Sequence, residues 1–257
     1  MIAYILAQIS SFFNRGWTFS FDCDKIKILK CILENKMKII AKIYTEFDEK
    51  FGIPRQSGLV EETVGKIVFE PEYRNPEALR GIDGYSHLWL LWQFSEAVRE
   101  DWSPTVRPPR LGGNKRMGVF ATRSPFRPNP IGLSSVRLLE VRQTKNEGTV
   151  LIVGGADILS GTPIYDVKPY LAFTDSHPDA IGGFADKVFG YEIEIKFADE
   201  VRNRLTDDEV KKLTAILKED PRPSYKSEDE KVYGMKFSGK EITFKYENCK
   251  LLVTNIE

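Results

Sequence analysis

The sequence predicts a mainly β fold: a β-barrel, with a sandwich as the alternative, followed by a small α+β domain. Three observations carry that expectation. Between residues 37 and 178, short runs rich in β-branched and aromatic residues recur. Glycine and proline turns separate them, the pattern of many short strands closing into a barrel or sandwich. After about Asp179 the character shifts, and one amphipathic helix precedes a last group of strand-like runs. The chain thus divides into an N-terminal extension (1–36), a barrel domain (37–180) and an α+β domain (181–257).

Residues 1–36 are rich in Ile, Phe and Cys with no clean period. Two readings stay open: a leader ahead of a start at Met37, or a helix packed on the domain. The runs KIIAKIYTEF and VGKIVFE then read as strands, and RNPEALRGIDGY as one short helix. SHLWLLWQF, Ser86 to Phe94, is an apolar run of strand length, as for a strand buried on both faces. RMGVFATRS and GLSSVRLLEVRQ follow. The turn KNEG leads into TVLIVGGADI as a hairpin, and GTPIYDVKPYL closes the series. TDDEVKKLTAILKED is a helix. Thr206 and Glu209 form a capping box at its start, Leu213, Ile216 and Leu217 its apolar stripe, and Pro221 and Pro223 lie beyond its end. The last 27 residues read as a three-strand meander turning at Ser238-Gly239 and Glu247-Asn248.

Several function classes are disfavoured. The 37 Lys and Arg balance 37 Asp and Glu, so the chain is not a wholly basic nucleic-acid binder, although a basic patch offset by acids elsewhere stays open. Three cysteines in no metal-like spacing and two histidines argue against a zinc site and for a reducing compartment. The apolar start MIAYILAQISSFF is too short to span a bilayer and lacks the marks of a signal peptide, so a cytoplasmic location without membrane attachment is expected. No G-x-G-x-x-G follows a strand, and neither Walker A nor G-x-S-x-G occurs. A Rossmann site and a Ser/His/Asp hydrolase both lack support.

The strongest positive feature is a basic segment. From Ser103 to Leu139 there are Arg107, Arg110, Lys115, Arg116, Arg123, Arg127 and Arg137, and no acid. Guanidinium forks match carboxylates and phosphates, and the interspersed prolines stiffen the backbone that presents them. A basic face neutralised by the acidic C-terminal region is the plainer reading; charge clustering favours an anion or RNA surface. FGIPRQSGLV is a second stiff loop, with Arg55 and Gln56, which alone would pass as a plain connection. His87 reads as a hydrogen-bonded core histidine, Trp89 and Trp92 as core, and Asp157 and Asp166 as turn caps.

Taken together, KFGIPRQSGLV, GYSHLWLLWQF, TVRPPRLGGNKRMGVFATRSPFRPNPIGLSSV, DILSGTPIYDVKPYL and EDPRPSY resemble the TrmO/TsaA-like family. The resemblance runs from about Met37 to the C-terminus, and residues 1–36 find no counterpart in it, which favours the leader reading. It implies a non-Rossmann β-barrel that binds S-adenosylmethionine (SAM), forms a homodimer and carries a small C-terminal domain. The implied activity is methyl transfer to N6 of N6-threonylcarbamoyladenosine, beside the anticodon of threonine tRNA, with no metal.

Carried over by motif, the implied cofactor contacts are Pro54, Arg55 and Gln56; Arg123; Leu133; and Asp157, Ile158, Leu159 and Ser160, with Thr162 close by. Some members have a His-Gln pair where this chain has Ser95 and Glu96, so that contact departs from the pattern. An arginine suits the donor's carboxylate and an aspartate its ribose diol. The acceptor nitrogen has a delocalised lone pair, so loss of its proton would assist attack, and His87, Asp166 and Tyr225 are the candidate bases. Arg222 and Tyr225 in DPRPSY, with Arg107, Arg110, Arg116, Arg127 and Lys168, are expected to meet the tRNA. Two readings compete: a non-catalytic RNA-binding barrel, and a SAM methyltransferase with another acceptor.

Overall fold

The computed structural model describes residues 37–111, 115–188, 190, 192–222 and 231–257. The N-terminal extension, Gly112, Gly113, Asn114 and Tyr225 lie outside the described residues, as does the side chain of Arg110. In chain order the first strands are β1 (Ala41–Thr45), β2 (Val64–Phe69), β3 (His87–Gln93), β4 (Thr105–Val106), β5 (Met117–Gly118), β6 (Ile131–Thr144), β7 (Gly148–Gly154) and β8 (Thr162–Pro169). Six of them close into a barrel in the order β1-β2-β7-β6-β3-β8, each pair antiparallel. The strand-rich reading therefore resolves to a barrel.

Alternation of side chains fills the interior. Ala41 and Ile43, Ile67 and Phe69, Leu88, Leu90 and Trp92, Val136, Leu151 and Val153, and Ile164 form one core. β3 departs from the expectation of burial on both faces. Leu88, Leu90 and Trp92 are buried, Trp89 and Leu91 half-buried, and His87 is exposed rather than a core histidine. RNPEALRGIDGY is not one helix. It makes two short 3-10 turns, Pro76–Leu79 and Ile82–Gly84, split by Gly81 at φ 82°, a left-handed conformation that no continuous helix can pass through.

Two features of the barrel position the candidate site. Because neighbouring strands alternate in direction, the β1–β2, β3–β6 and β7–β8 connections all leave from one end. The barrel is also sheared. β7 ends at Gly154 opposite Arg137, whereas β3 pairs with β6 from Arg137 up to Ile131. The first part of β6 thus has a strand on one side only, and loops fill the other side.

Beyond the barrel come two short helices, α1 (Ala172–Asp175) and α2 (Asp199–Arg202), the longer α3 (Asp207–Lys218), and strands β9 (Glu194–Phe197), β10 (Val232–Phe237), β11 (Lys240–Glu247) and β12 (Lys250–Ile256). The meander is present as β10-β11-β12. β9, which was not expected, adds to its edge parallel to β12. Both hairpins use two residues at positive φ, Ser238 (52°) with Gly239 (75°) and Asn248 (50°) with Cys249 (60°). These are the primed turns that match strand twist. The second lies one residue later than expected.

The second core is not built from the C-terminal residues alone. Phe47 and Val60 of the β1–β2 connection are buried with Leu213, Phe237 and Phe244, and Phe51 and Ile53 pack against them. Gly52, at φ 94°, is needed there: a Cβ would lie 2.5 Å from Met235 Cε. Glu46 ties the connection down, accepting from Lys212 Nζ at 2.9 Å and from the Val64 N–H at 3.1 Å. Residues 39–257 accordingly form one compact unit.

The helix start follows the expected chemistry. Thr206 accepts from the Glu209 N–H, and the Glu209 carboxylate accepts from the Thr206 N–H at 2.8 Å. Glu209's pKa is lowered to about 2, first by the Lys240 ammonium and then by the Thr206 backbone. Stability from this carboxylate is thus fully present above its ordinary value of 4.5 and lost as pH falls toward about 2. Thr206→Ala should cost about 1 kcal/mol, read as a lower denaturant midpoint with an unchanged slope.

Candidate active site

The gap beside β6 is where polar groups converge. Gly132, Ser134 and Val136 are buried on the inner face of β6, so Ser134 places a hydroxyl where the alternation calls for an apolar group. That hydroxyl accepts from Trp92 Nε1 at 2.9 Å and donates to Asp157 Oδ1 at 2.6 Å. On the open edge, the Ser135 N–H donates to Ser57 Oγ at 3.1 Å, and the Gly58 N–H to the Gly155 carbonyl at 2.9 Å. Ser57, Ser134 and Ser135 were not singled out in the sequence. A serine at an inward strand position was the one available signal, and it is legible only once the register is known.

Asp157 is the electrostatic centre of this cluster. Burial pushes its pKa up. Hydrogen bonds from Ser134 and from the N–H groups of Asp157 and Ser57, together with the positive charge of Arg123, oppose that rise without cancelling it. Arg123 Nη1 also donates to Gln56 Oε1. Gln56, Arg123 and Asp157, expected from three separate motifs, are therefore neighbours. What this arrangement offers is a carboxylate short of solvent beside a guanidinium, next to backbone donors of stiff turns.

The other expected cofactor residues are placed less uniformly. Pro54 is buried under the same loop. Arg55 turns the other way, donating to the carbonyls of Asp220 at 3.0 Å and Arg222 at 3.5 Å. Ser95 and Glu96 begin a 3-10 turn after β3, both exposed, with Glu96 paired to Lys50 at 2.8 Å. Leu133 is 54% exposed and faces opposite to Ser134, so its side chain does not share the Asp157 surface. Ile158, in the β7–β8 connection, packs into the barrel core and its carbonyl accepts from Thr45 Oγ1 at 2.8 Å, while Thr162 is buried at the start of β8. Leu159 and Ser160 are half-buried, with Ser160 Oγ accepting from the Thr45 N–H at 3.3 Å.

The basic side chains divide into two groups. Arg107, Arg116 and Lys168 are exposed, with Arg116 donating to Thr105 Oγ1 at 3.1 Å and Lys168 3.4 Å from Asp166. Arg127 and Arg222 also brace the chain, and for the buried Arg222 this corrects its assignment to phosphate. Arg127 donates to the carbonyls of Thr122 at 2.7 Å and Val119 at 3.3 Å. Arg222 is 8% exposed, forks onto Asp220 with both contacts at 2.8 Å, and lies 3.8 Å from the centre of the Tyr246 ring. A guanidinium so buried and occupied is not presented to a polyanion.

Neither described candidate base joins the cluster. His87 begins β3, five residues before Trp92 and therefore roughly 17 Å along the strand. Its Nδ1 is 3.0 Å from Ser86 Oγ. Asp166 sits on the outer side of β8 opposite Leu91, next to Lys168. Among the described residues no three His, Cys, Asp or Glu side chains gather as a metal site would need, and no helix is long and apolar enough to cross a membrane.

Comparison with known proteins agrees with the barrel and with the second sheet. Residues 42–176 match the tRNA-methyltransferase O N-terminal domain, and residues 190–257 the TrmO C-terminal domain. The chain is 45% identical over 197 residues to the tRNA (adenine(37)-N6)-methyltransferase of Escherichia coli, covering 74% of this chain and 83% of that one. A Pseudomonas aeruginosa relative named as an S-adenosylmethionine-dependent methyltransferase is 38% identical over 220 residues, covering 83% of this chain and 93% of its own. The crystal structure of TrmO from Pseudomonas aeruginosa superposes with a TM-score of 0.68 at 31% identity, covering 87% of this chain and 98% of the other. With both of its domains matched and its fold shared, the chain belongs to the tRNA-methyltransferase O (TrmO) family.

Proposed function

We propose that the protein is a SAM-dependent methyltransferase acting on N6 of adenine 37 in tRNA, with N6-threonylcarbamoyladenosine of threonine tRNA as the acceptor nucleoside. The observation that carries this reading is the meeting of Gln56, Arg123 and Asp157 at the open edge of β6, in a chain of this family. The residues fit the cofactor. A carboxylate held out of water by Ser134 and two backbone N–H groups suits the two hydroxyls of a ribose, and Arg123 suits the carboxylate of the methionine part. SAM supplies an electrophilic methyl group on a positively charged sulfur.

The protein's share is alignment. In-line transfer gains most of its rate from holding donor and acceptor in register, and the anchoring loops here are stiff. Pro54 is buried, Ser57 is bound to β6, and the Arg127 guanidinium ties two carbonyls of the loop that carries Arg123. The proton lost from N6 would leave to a base outside the Asp157 cluster or to water.

The deciding measurement is mass spectrometry of nucleosides from threonine tRNA incubated with the protein and SAM. One added methyl on threonylcarbamoyladenosine is expected, and its absence with active cofactor binding would overturn the acceptor assignment. RNA binding through Arg107, Arg116 and Lys168 should weaken as salt rises, with the logarithm of affinity falling linearly in the logarithm of salt. A flat dependence would remove the phosphate contacts. We propose further that the enzyme works as a homodimer in the cytoplasm. Phe173 and Ile181, 88% and 90% exposed, supply apolar surface of the kind that a contact between copies covers.

A further inference from the structure

We propose that exposed aromatic side chains of the β3–β6 connection form a stacking surface for unpaired RNA nucleotides beside the Asp157 cluster. The inference rests on the tRNA reading above and names the part of the protein that holds the RNA loop. Trp102, Phe120 and Phe126 are 52%, 69% and 40% exposed. The Trp102 and Phe120 rings lie 5.9 Å apart, tilted by 33°. The Arg127 guanidinium is 5.7 Å from the centre of Phe120, and that of Arg99 is 4.0 Å from the centre of Phe126. Rings and guanidinium groups therefore interleave along one loop.

Backbone bonds join the two stretches that carry Trp102 and Phe120. Thr105 and Val106 of β4 pair with Gly118 and Met117 of β5, and the Val119 N–H donates to the Pro104 carbonyl at 2.9 Å. Those bonds hold the backbone beside Trp102 against the backbone beside Phe120. Three residues past Phe120, Arg123 reaches Gln56, so the aromatic surface adjoins the site where the methyl would be transferred.

Two kinds of partner could cover such rings. A second copy of the chain, meeting this surface in a two-fold contact, would set its arginines against their own copies, where like charges repel. Here Phe120 and Phe126 each adjoin a guanidinium, and although Glu100 and Asp101 precede Trp102, no acid occurs from Ser103 to Leu139. That combination fits a polyanion with accessible base faces. A duplex keeps its base faces stacked on one another, whereas the bases of a single-stranded loop can be splayed onto aromatic and guanidinium planes.

The test uses the full-length protein with Trp102→Ala and Phe120→Ala, and Trp102→Phe and Phe120→Tyr as conservative replacements. Affinity is measured at fixed salt for an anticodon stem-loop RNA and for a fully paired RNA of equal length. SAM affinity comes from calorimetry and mass from light scattering. Each alanine should weaken stem-loop binding by about 5- to 100-fold, the value of one lost base stack. Binding of the paired RNA, SAM affinity and mass should not change, and the conservative replacements should restore the stem-loop affinity. Equal loss for both RNAs would mean that the rings only support the cationic loop, and would overturn the proposal. Unchanged stem-loop affinity, or a change in mass that marks a contact between copies, would overturn it too. A wild-type protein that binds neither RNA brings down the tRNA reading along with it, whereas a wild type that binds the stem-loop no better than the alanine variants brings down this inference alone.

Discussion

Asp157→Asn should lower SAM affinity by about 10- to 100-fold while leaving the fold intact, and at neutral pH its melting temperature should equal or exceed that of the wild type. The two halves come from the same geometry. Asparagine keeps the shape and can still accept from Ser134, but it removes the charge that a pair of ribose hydroxyls would meet. Hydrogen bonds to a charged group are worth about 1.5–3 kcal/mol, roughly one to two powers of ten in affinity. Stability moves the other way because burial raises the Asp157 pKa in the folded state. Stability linked to this group is fully present below its ordinary value of 3.8 and is lost as pH rises through the raised folded value, so at neutral pH the carboxylate is a cost to the fold. The asparagine variant escapes that cost. The advantage in melting temperature should therefore shrink as pH is lowered, and SAM affinity of the wild type alone should decline on the same acid limb. Equal SAM affinity in the two proteins would remove Asp157 from the binding site. An asparagine variant that loses stability at neutral pH would show that Ser134 and the two backbone donors outweigh burial.

Where local chemistry decides a structure, the sequence was readable. Thr206 and Glu209 cap α3 because a hydroxyl and a carboxylate three residues apart satisfy two otherwise unpaired N–H groups, whatever surrounds them. Ser238-Gly239 turns a hairpin for a similarly local reason. Where long-range packing decides, it was not. β9 has four residues and no alternation strong enough to announce it; its place is set by pairing with β12, more than fifty residues away. Phe47, Phe51 and Val60 lie between two barrel strands in sequence yet enter the second core, because the β1–β2 connection is long enough to reach it.

The site divides in the same way. Family motifs pointed to Gln56, Arg123 and Asp157, which the fold brings together. The same reading set Arg222 on the RNA, and its burial against Asp220 and Tyr246 could not be inferred from DPRPSY alone. Ser134 went unremarked because one serine in GLSSV carries no information until the shear of the barrel leaves the first part of β6 without a strand on one side.

Gly132 shows how closely the site depends on that part of β6, and Gly132→Ala should damage both stability and SAM binding. Gly132 pairs with Trp92 across the β3–β6 ladder. A Cβ there would lie 2.2 Å from Trp92 Cε2, 2.5 Å from Cζ2 and 2.6 Å from Cδ2, so the indole would have to move. The ring is held by its Nε1 bond to Ser134 and by Phe94, whose ring centre is 4.2 Å away. Overpacking of this kind costs about 1–3 kcal/mol, or about 2 to 12 °C in melting temperature for a chain of this size. Moving the indole also takes the donor from Ser134, whose hydroxyl orients Asp157, so SAM affinity should fall with stability. Without the clash the sign would reverse, because glycine to alanine in ordinary backbone stabilises by about 0.4–1 kcal/mol through the unfolded chain. The control is the same substitution in a Trp92→Leu background. With the indole gone the added methyl has room, and the two changes should combine far below the sum of their separate costs. If the costs simply add, the indole is not what makes Gly132 necessary, and the link from β3 through Ser134 to Asp157 loses its support.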